Sequence, residues 1–271
     1  FCRHPDKIYA ARAAAHYWEE PVISGSFGSG AVFFSGCTLR CAFCQNGVIS
    51  QENFGKEVSS QELRAAFERL IDEGCQNINL VTPTPYKKAI LESLAEPLPV
   101  PVVYNCGGYE TTATIDAFKG KVQIYLPDLK YLNPALAKRY SAAEDYPQVA
   151  AEAILHMYDQ VGPYELDDDG LLKKGVVIRH LILPGCLDNT KAVIDWVRDH
   201  FADGQVLFSL MRQYVPCGRA ADYPEINRRL TDEEYDEAEQ YLFDSGIEDG
   251  FVQEKDSASE AFIPAFDGTG V

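Results

Sequence analysis

Cys37-Thr-Leu-Arg-Cys41-Ala-Phe-Cys44 decides the reading of this chain. It follows the apolar run Ala31-Val-Phe-Phe34 and the break Ser35-Gly36, a pattern that predicts a strand running into a loop. The three thiols are separated by gaps of three and two residues. Thiolates are soft anionic ligands, and three on one loop can close around a single inorganic centre. A four-iron cluster normally takes four. Three would leave one iron open, as a catalytic zinc site keeps one position open. Two other readings compete. Spacing i, i+4, i+7 puts three residues on one helix face, where they would be core cysteines, but polar Arg40, Gln45 and Asn46, with Gly47, surround them. A zinc site needs a fourth ligand, and no His or Cys follows within about 25 residues at finger-like spacing.

The motif resembles the signature of the radical S-adenosylmethionine (radical SAM) superfamily. The wider phrase from Phe33 to Asn46 is similar to the branch related to the pyruvate formate-lyase activating enzyme, and within it to the PflX-type homologues. Further phrases carry the likeness over almost the whole chain: His16-Tyr-Trp-Glu-Glu-Pro21, Asn79-Leu-Val-Thr-Pro-Thr84, Tyr104-Asn-Cys-Gly-Gly-Tyr109, Tyr125-Leu-Pro-Asp-Leu-Lys130, Arg179-His-Leu-Ile-Leu-Pro-Gly185 and Ser209-Leu-Met-Arg-Gln-Tyr214. The chain departs from the activating-enzyme pattern in three places. Thr82-Pro-Thr84 stands for Gly-Gly-Glu, Asn105-Cys-Gly-Gly for Asp-Thr-Asn-Gly, and Gln213 or Tyr214 occupies the region of a family histidine.

Composition bounds the rest. The 271 residues, 46% hydrophobic, can bury a full core, and no stretch approaches the ~20 apolar residues of a membrane span. A net charge of −17 repels phosphate backbones and disfavours nucleic-acid substrates. Eight cysteines in a chain this large favour intracellular cluster chemistry over a disulfide scaffold, so the expected location is cytoplasmic. The chain opens on Phe1 in mid-phrase, and an upstream segment is expected. Cys2 reads as a surface thiol or as the last of a further cysteine set that the resembling homologues carry there. Cys75, Cys106, Cys186 and Cys217 have no ligand spacing and read as buried thiols, with Cys106 singled out by Gly107-Gly108, which let substrate approach. His180 reads as a satisfied core histidine.

Residues 1–30 read as an extension, with a short helix over Arg12–Tyr17 and a flexible approach over Gly25–Gly30. Strands are predicted at 31–35, 78–81, 100–104, 122–126, 176–183 and 206–210, alternating with helices at about 60–73, 85–95, 112–119, 133–141, 147–161, 189–201 and 231–245. Asp167-Asp-Asp-Gly170 is a hairpin turn, Phe251-Val252 a short strand, and 250–271 a loose tail. Six β/α units give an α/β fold with parallel strands and right-handed crossovers. Eight would close a full barrel. Six make a partial (β/α)6 barrel, open and three-quarter, which the resemblance also implies. With no repeats or linkers, the chain is expected to be one domain.

Ligands of such folds bind beyond the carboxyl ends of the strands, where the polar breaks of this sequence fall. The resemblance implies a 4Fe–4S cluster on Cys37, Cys41 and Cys44 and S-adenosylmethionine on its open iron. Lys130 and Arg179 are then carboxylate-side candidates, Asp128 and Asn105 candidates for ribose or amino-acid polar groups, and Phe43 for the adenine face. Thr82 and Thr84 would serve the amino end, and Gln213 borders the same region. It further implies reductive cleavage to a 5′-deoxyadenosyl radical, a flavodoxin- or ferredoxin-type reductant, and a glycyl radical enzyme as partner. A small molecule or peptide substrate, or a non-catalytic iron–sulfur or zinc protein, are the alternatives.

Overall fold

Among the described residues, seven strands run parallel from one edge of a single sheet, and what covers its two faces makes them unlike. The computed structural model describes residues 7–52, 54–253 and 264–271; Cys2 lies outside them. In chain order the elements are β1 (Ile8–His16), α1 (Pro21–Ser24), β2 (Ser29–Phe34), α2 (Gly47–Ser50), β3 (Lys56–Val58), α3 (Ser60–Asp72), β4 (Ile78–Val81), α4 (Lys87–Ser93), β5 (Val102–Cys106), α5 (Thr112–Ala117), β6 (Ile124–Pro127), α6 (Pro134–Ser141), α7 (Tyr146–Val161), β7 (Glu165–Leu166), β8 (Leu172–Leu181), α8 (Leu187–His200), β9 (Leu207–Met211), α9 (Asp232–Ser245) and β10 (Gly250–Val252). The sheet order is β10-β9-β8-β6-β5-β4-β2-β1-β3, with β7 paired to β8. Strands β2, β4, β5, β6, β8, β9 and β10 are parallel; β1 and β3 are antiparallel additions at one edge. The sheet is open, the partial (β/α)6 barrel expected, with β10 as the short strand anticipated at Phe251-Val252.

Alternation along the strands sorts the side chains. Leu80, Tyr104, Tyr125 and Ile178 pack with Leu63, Phe67 and Leu70 of α3 and Ile154 and Met157 of α7 in the main core. The other face carries Val103, Ile124, Leu126, Val177 and Leu207, against which Val22 and Ile23 of α1 are buried. The connection between β1 and β2 therefore plugs the inner face. Helices α3 and α9 start on complete capping boxes, Ser59 with Glu62 and Thr231 with Glu234.

Four expectations are corrected. Arg12–Tyr17 is not helical: Ala10–His16 pairs with β2, and Ala10, Ala11 and Ala13 are wholly buried, where small side chains let neighbouring layers close. Tertiary pairing overrides the helix propensity of alanine. Gly25–Gly30 is not a free approach, since Ser29 and Gly30 already lie in β2. Strand β8 starts earlier than predicted, at Leu172, because the Asp167–Gly170 turn closes a hairpin with β7. Residues 264–271 are not loose: the Ala13 N–H donates to Thr269 O at 2.9 Å, the Gly268 N–H to Ala11 O at 3.0 Å, and Lys56 Nζ to Val271 O at 2.8 Å.

His180 is the satisfied core histidine expected. Its Nδ1 donates to Leu129 O at 2.7 Å, leaving Nε2 to accept from Thr190 Oγ1 at 3.0 Å. Burial pulls its pKa down to about 4. A folded value below the unfolded one means that stability is full above pH 6.5 and is lost as pH falls toward 4, by about 3 kcal/mol. Urea unfolding of His180→Gln, which cannot charge, should show that much less acid loss over this interval than the unsubstituted protein; equal losses would refute the assignment.

Candidate radical-chemistry site at the carboxyl end of the sheet

The carboxyl ends of β2, β4, β5, β6, β8 and β9 open into one cavity of about 250 Å³. Cys37, Cys41, Cys44, Phe43, Thr82, Asn105, Asp128, Lys130, Arg179 and Gln213 all line it. Chain order does not bring these together; parallel pairing does, because it sets every strand-to-helix exit on the same edge. The loop that carries the three thiols begins where Gly36 takes φ 83°, a left-handed turn that frees the chain from β2.

The three thiols converge. Desolvation, aided by the neighbouring Cys41 and Cys44, pushes the Cys37 thiol up to about 12. Cys41 is raised by burial and pulled back by Lys130. Among the described residues no three His, Cys, Asp or Glu side chains gather as a single metal ion requires. A cube asks less, since each thiolate meets a different iron corner. Cys106 also borders the cavity, but its thiol lies toward the Gly108 N–H and Glu110. Gly107 leaves room at the cavity wall beside Lys130: a Cβ there would come within 3.1 Å of Leu39 Cδ1 and 3.7 Å of Lys130 Cε. The donor chemistry and this space fit an iron–sulfur cluster with a further ligand.

Beneath the thiols lies a buried charge network. Asp128 Oδ1 accepts from Arg179 Nε at 2.9 Å, and Asp128 Oδ2 pairs with Lys130. Arg179 Nη2 also donates to Asn105 Oδ1 at 2.8 Å, and its Nη1 faces Glu19 at 3.4 Å. Burial alone would raise Asp128, yet Arg179 and Lys130 outweigh it and hold the carboxylate below its usual range. Burial alone would lower Lys130, yet Asp128 reverses this and holds the ammonium charged.

Phe43 is buried and meets Tyr214 edge-on at 5.8 Å. Thr82 takes φ 59°, a left-handed strain for a β-branched residue at a cavity edge. Thr84 is the one expected residue placed elsewhere. It opens a 3-10 turn, and its hydroxyl donates to the buried Glu110 at 2.6 Å, away from the cavity lining.

Glu19 was missed by the sequence reading. Its Oε2 accepts from Asn105 Nδ2 at 2.6 Å and Asn79 Nδ2 at 2.9 Å, so the β1–β2 connection delivers a carboxylate to the cavity. Glu20 beside it accepts from Ser209 at 2.9 Å, and burial raises its carboxyl. The signal was present in the phrase His16–Pro21: two adjacent acids before a proline, of which Glu20 proves buried. Trp18, 61% exposed, stands at the cavity edge.

Comparison with known proteins speaks to the family and the fold. The family model described as "Radical SAM superfamily" matches residues 31–197. Uncharacterized protein MJ0674 of Methanocaldococcus jannaschii is 32% identical over 249 residues, covering 88% of this chain and 68% of that protein. Streptococcus suis SuiB, solved bound to S-adenosylmethionine, superposes with TM-score 0.58 at 13% identity over 81% of this chain, which spans about half (48%) of the SuiB chain. A cysteine-to-serine mutant of spore photoproduct lyase superposes with TM-score 0.54 at 13% identity over 81% of this chain and 74% of that one. At such identities the two structures speak for the fold alone. The match over more than half of the chain places this protein in the radical SAM superfamily, whose cofactors are a 4Fe–4S cluster and S-adenosylmethionine.

Proposed function

We propose that Cys37, Cys41 and Cys44 hold the 4Fe–4S cluster, and that the chain activates a glycyl radical enzyme by taking hydrogen from a glycine of that partner. The observation that carries the site assignment is the convergence of three thiols on a cavity that also holds Lys130, Asp128 and the bare backbone of Gly107. When bound, the cluster and S-adenosylmethionine supply a 5′-deoxyadenosyl radical after one-electron reduction by a flavodoxin- or ferredoxin-type protein.

The chain's own residues bind and orient. Lys130, kept charged by Asp128, meets the cofactor's carboxylate. Arg179 has its donors engaged by Asp128, Asn105 and Glu19, so it holds Asp128 and Asn105 in place for the amino-acid and ribose groups. Phe43 offers a face to the adenine, and the strained Thr82 presents backbone and hydroxyl at the amino end. Gln213, from the chain just past β9, closes the far side. The buried walls exclude water from a reactive intermediate. The glycyl-radical partner follows the likeness to activating enzymes. A peptide substrate is the second reading, favoured by exposed Trp18 at the cavity edge with exposed Tyr17 next to it, a face on which a chain can lie.

The decisive experiment is anaerobic reconstitution with iron and sulfide, reduction, and assay of 5′-deoxyadenosine from S-adenosylmethionine. Product should form and should vanish in Cys41→Ala; no product from a protein with intact cluster absorbance would reject the reading. Lys130→Met removes a charged hydrogen bond of about 1.5–3 kcal/mol, so affinity for S-adenosylmethionine should fall roughly tenfold or more, as read by equilibrium binding. Asp128→Asn leaves buried Lys130 unmatched and Arg179 with Glu19 as its remaining ion-pair partner, and should cost about 3–5 kcal/mol of stability in urea unfolding.

A further inference from the structure

Among the described residues, each of the three thiols meets a hydrogen-bonding partner from this chain. The Leu39 N–H donates to Cys37 Sγ at 3.4 Å, the Ser50 hydroxyl lies 3.2 Å from Cys44 Sγ, and the Ser141 hydroxyl donates to Cys41 Sγ at 3.1 Å. The first two belong to the cluster loop and the helix that follows it. Ser141 comes from the last turn of α6, 100 residues away, and the contact is buried.

That hydroxyl is not free to turn. Tyr131, wholly buried, places its own hydroxyl 3.0 Å from Ser141 Oγ. A sulfur bound to iron carries no proton and can only accept, so the chain of bonds runs from Tyr131 through Ser141 to Cys41. Donation into Ser141 strengthens its own donation onward. The end of α6 is fixed on the loop as well. The N–H groups of Arg40 and Ala42 donate to the carbonyls of Ser141 and Tyr140 at 3.3 and 2.7 Å, using acceptors that a helix end leaves unpaired. Ala142 then turns left-handed at φ 55°, which stops the helix at Ser141.

We propose that Ser141, oriented by Tyr131, is a positioning residue that raises the reduction potential of the cluster. This rests on the assignment of the cluster to Cys37, Cys41 and Cys44. One-electron reduction adds negative charge that spreads onto the sulfurs, and a hydroxyl aimed at one of them stabilises the reduced state more than the oxidised one. The electron comes from the reductant, and Ser141 changes how readily the cluster takes it without touching substrate.

The test is a redox titration of the reconstituted protein followed by electron paramagnetic resonance, without S-adenosylmethionine or substrate. Ser141→Ala should shift the midpoint to more negative values, Ser141→Thr should return it toward that of the unsubstituted protein, and Tyr131→Phe should shift it part of the way. An unchanged midpoint in Ser141→Ala, at equal iron and sulfide content, would overturn the inference. Should Ser141→Ala load its cluster poorly, Tyr131→Phe decides, since it leaves the serine in place: a negative shift supports the inference and no shift overturns it. The iron–sulfur stretching bands should also move in deuterated solvent in the unsubstituted protein and move less in Ser141→Ala. Normal midpoints with no cleavage of S-adenosylmethionine would strike the proposed function alone. An unsubstituted protein that takes up no cluster would strike the cluster assignment and this inference with it.

Discussion

Asp128 is the group on which the site hangs. A carboxylate in the interior is expensive unless it is matched, and here the match is two-sided: Arg179 from β8 and Lys130 from the exit of β6 both bind it. The pairing ties two neighbouring strands where their backbone register ends, since Asp128 and Arg179 also form an isolated parallel bridge. It keeps a lysine charged beside thiols whose own ionisation burial opposes. Without that anion, the interior would favour a neutral lysine, and the cavity would lose one of its two cations.

The two faces of the sheet do different work for a simple reason. Helices cover one face, so its side chains are mostly apolar, with His180 satisfied by hydrogen bonds among them. Among the described residues the other face meets only the short helix α1, and the β1–β2 connection fills its lower part with Val22 and Ile23 while carrying Glu19 and Glu20 into the polar layer above. The loop between Ser35 and Ile49 covers the top. Apolar plug, charged layer and thiol loop thus stack along the same inner face, each set by how far along its strand a residue lies.

Much of this was legible in the chain. The apolar run ending at Ser35-Gly36, the three-thiol spacing, the capping boxes at Ser59 and Thr231, and the polar break after each strand all have local causes. Local causes leave local marks. The failures have one character. Arg12–Tyr17 has helix-forming residues but is recruited as a strand by pairing with β2. Thr84 follows Thr82 by two residues, yet the turn after β4 rotates it toward Glu110. The tail residues 264–271 look featureless until β1 offers them an edge.

By itself, the sequence determined the order of the six strands from β2 to β9 that build the parallel sheet and of the main helices between them, the spacing of the three thiols and the end of the sheet at which polar residues gather, because spacing and period are properties of neighbours along the chain. Tertiary structure alone decided that Glu19 faces Asn105, that Arg179 serves Asp128, and that Ser141 reaches Cys41. These are contacts between residues tens to a hundred positions apart, and no local preference encodes them. They exist because parallel pairing brings every strand exit to one rim, where distant side chains must satisfy one another or remain buried without a partner.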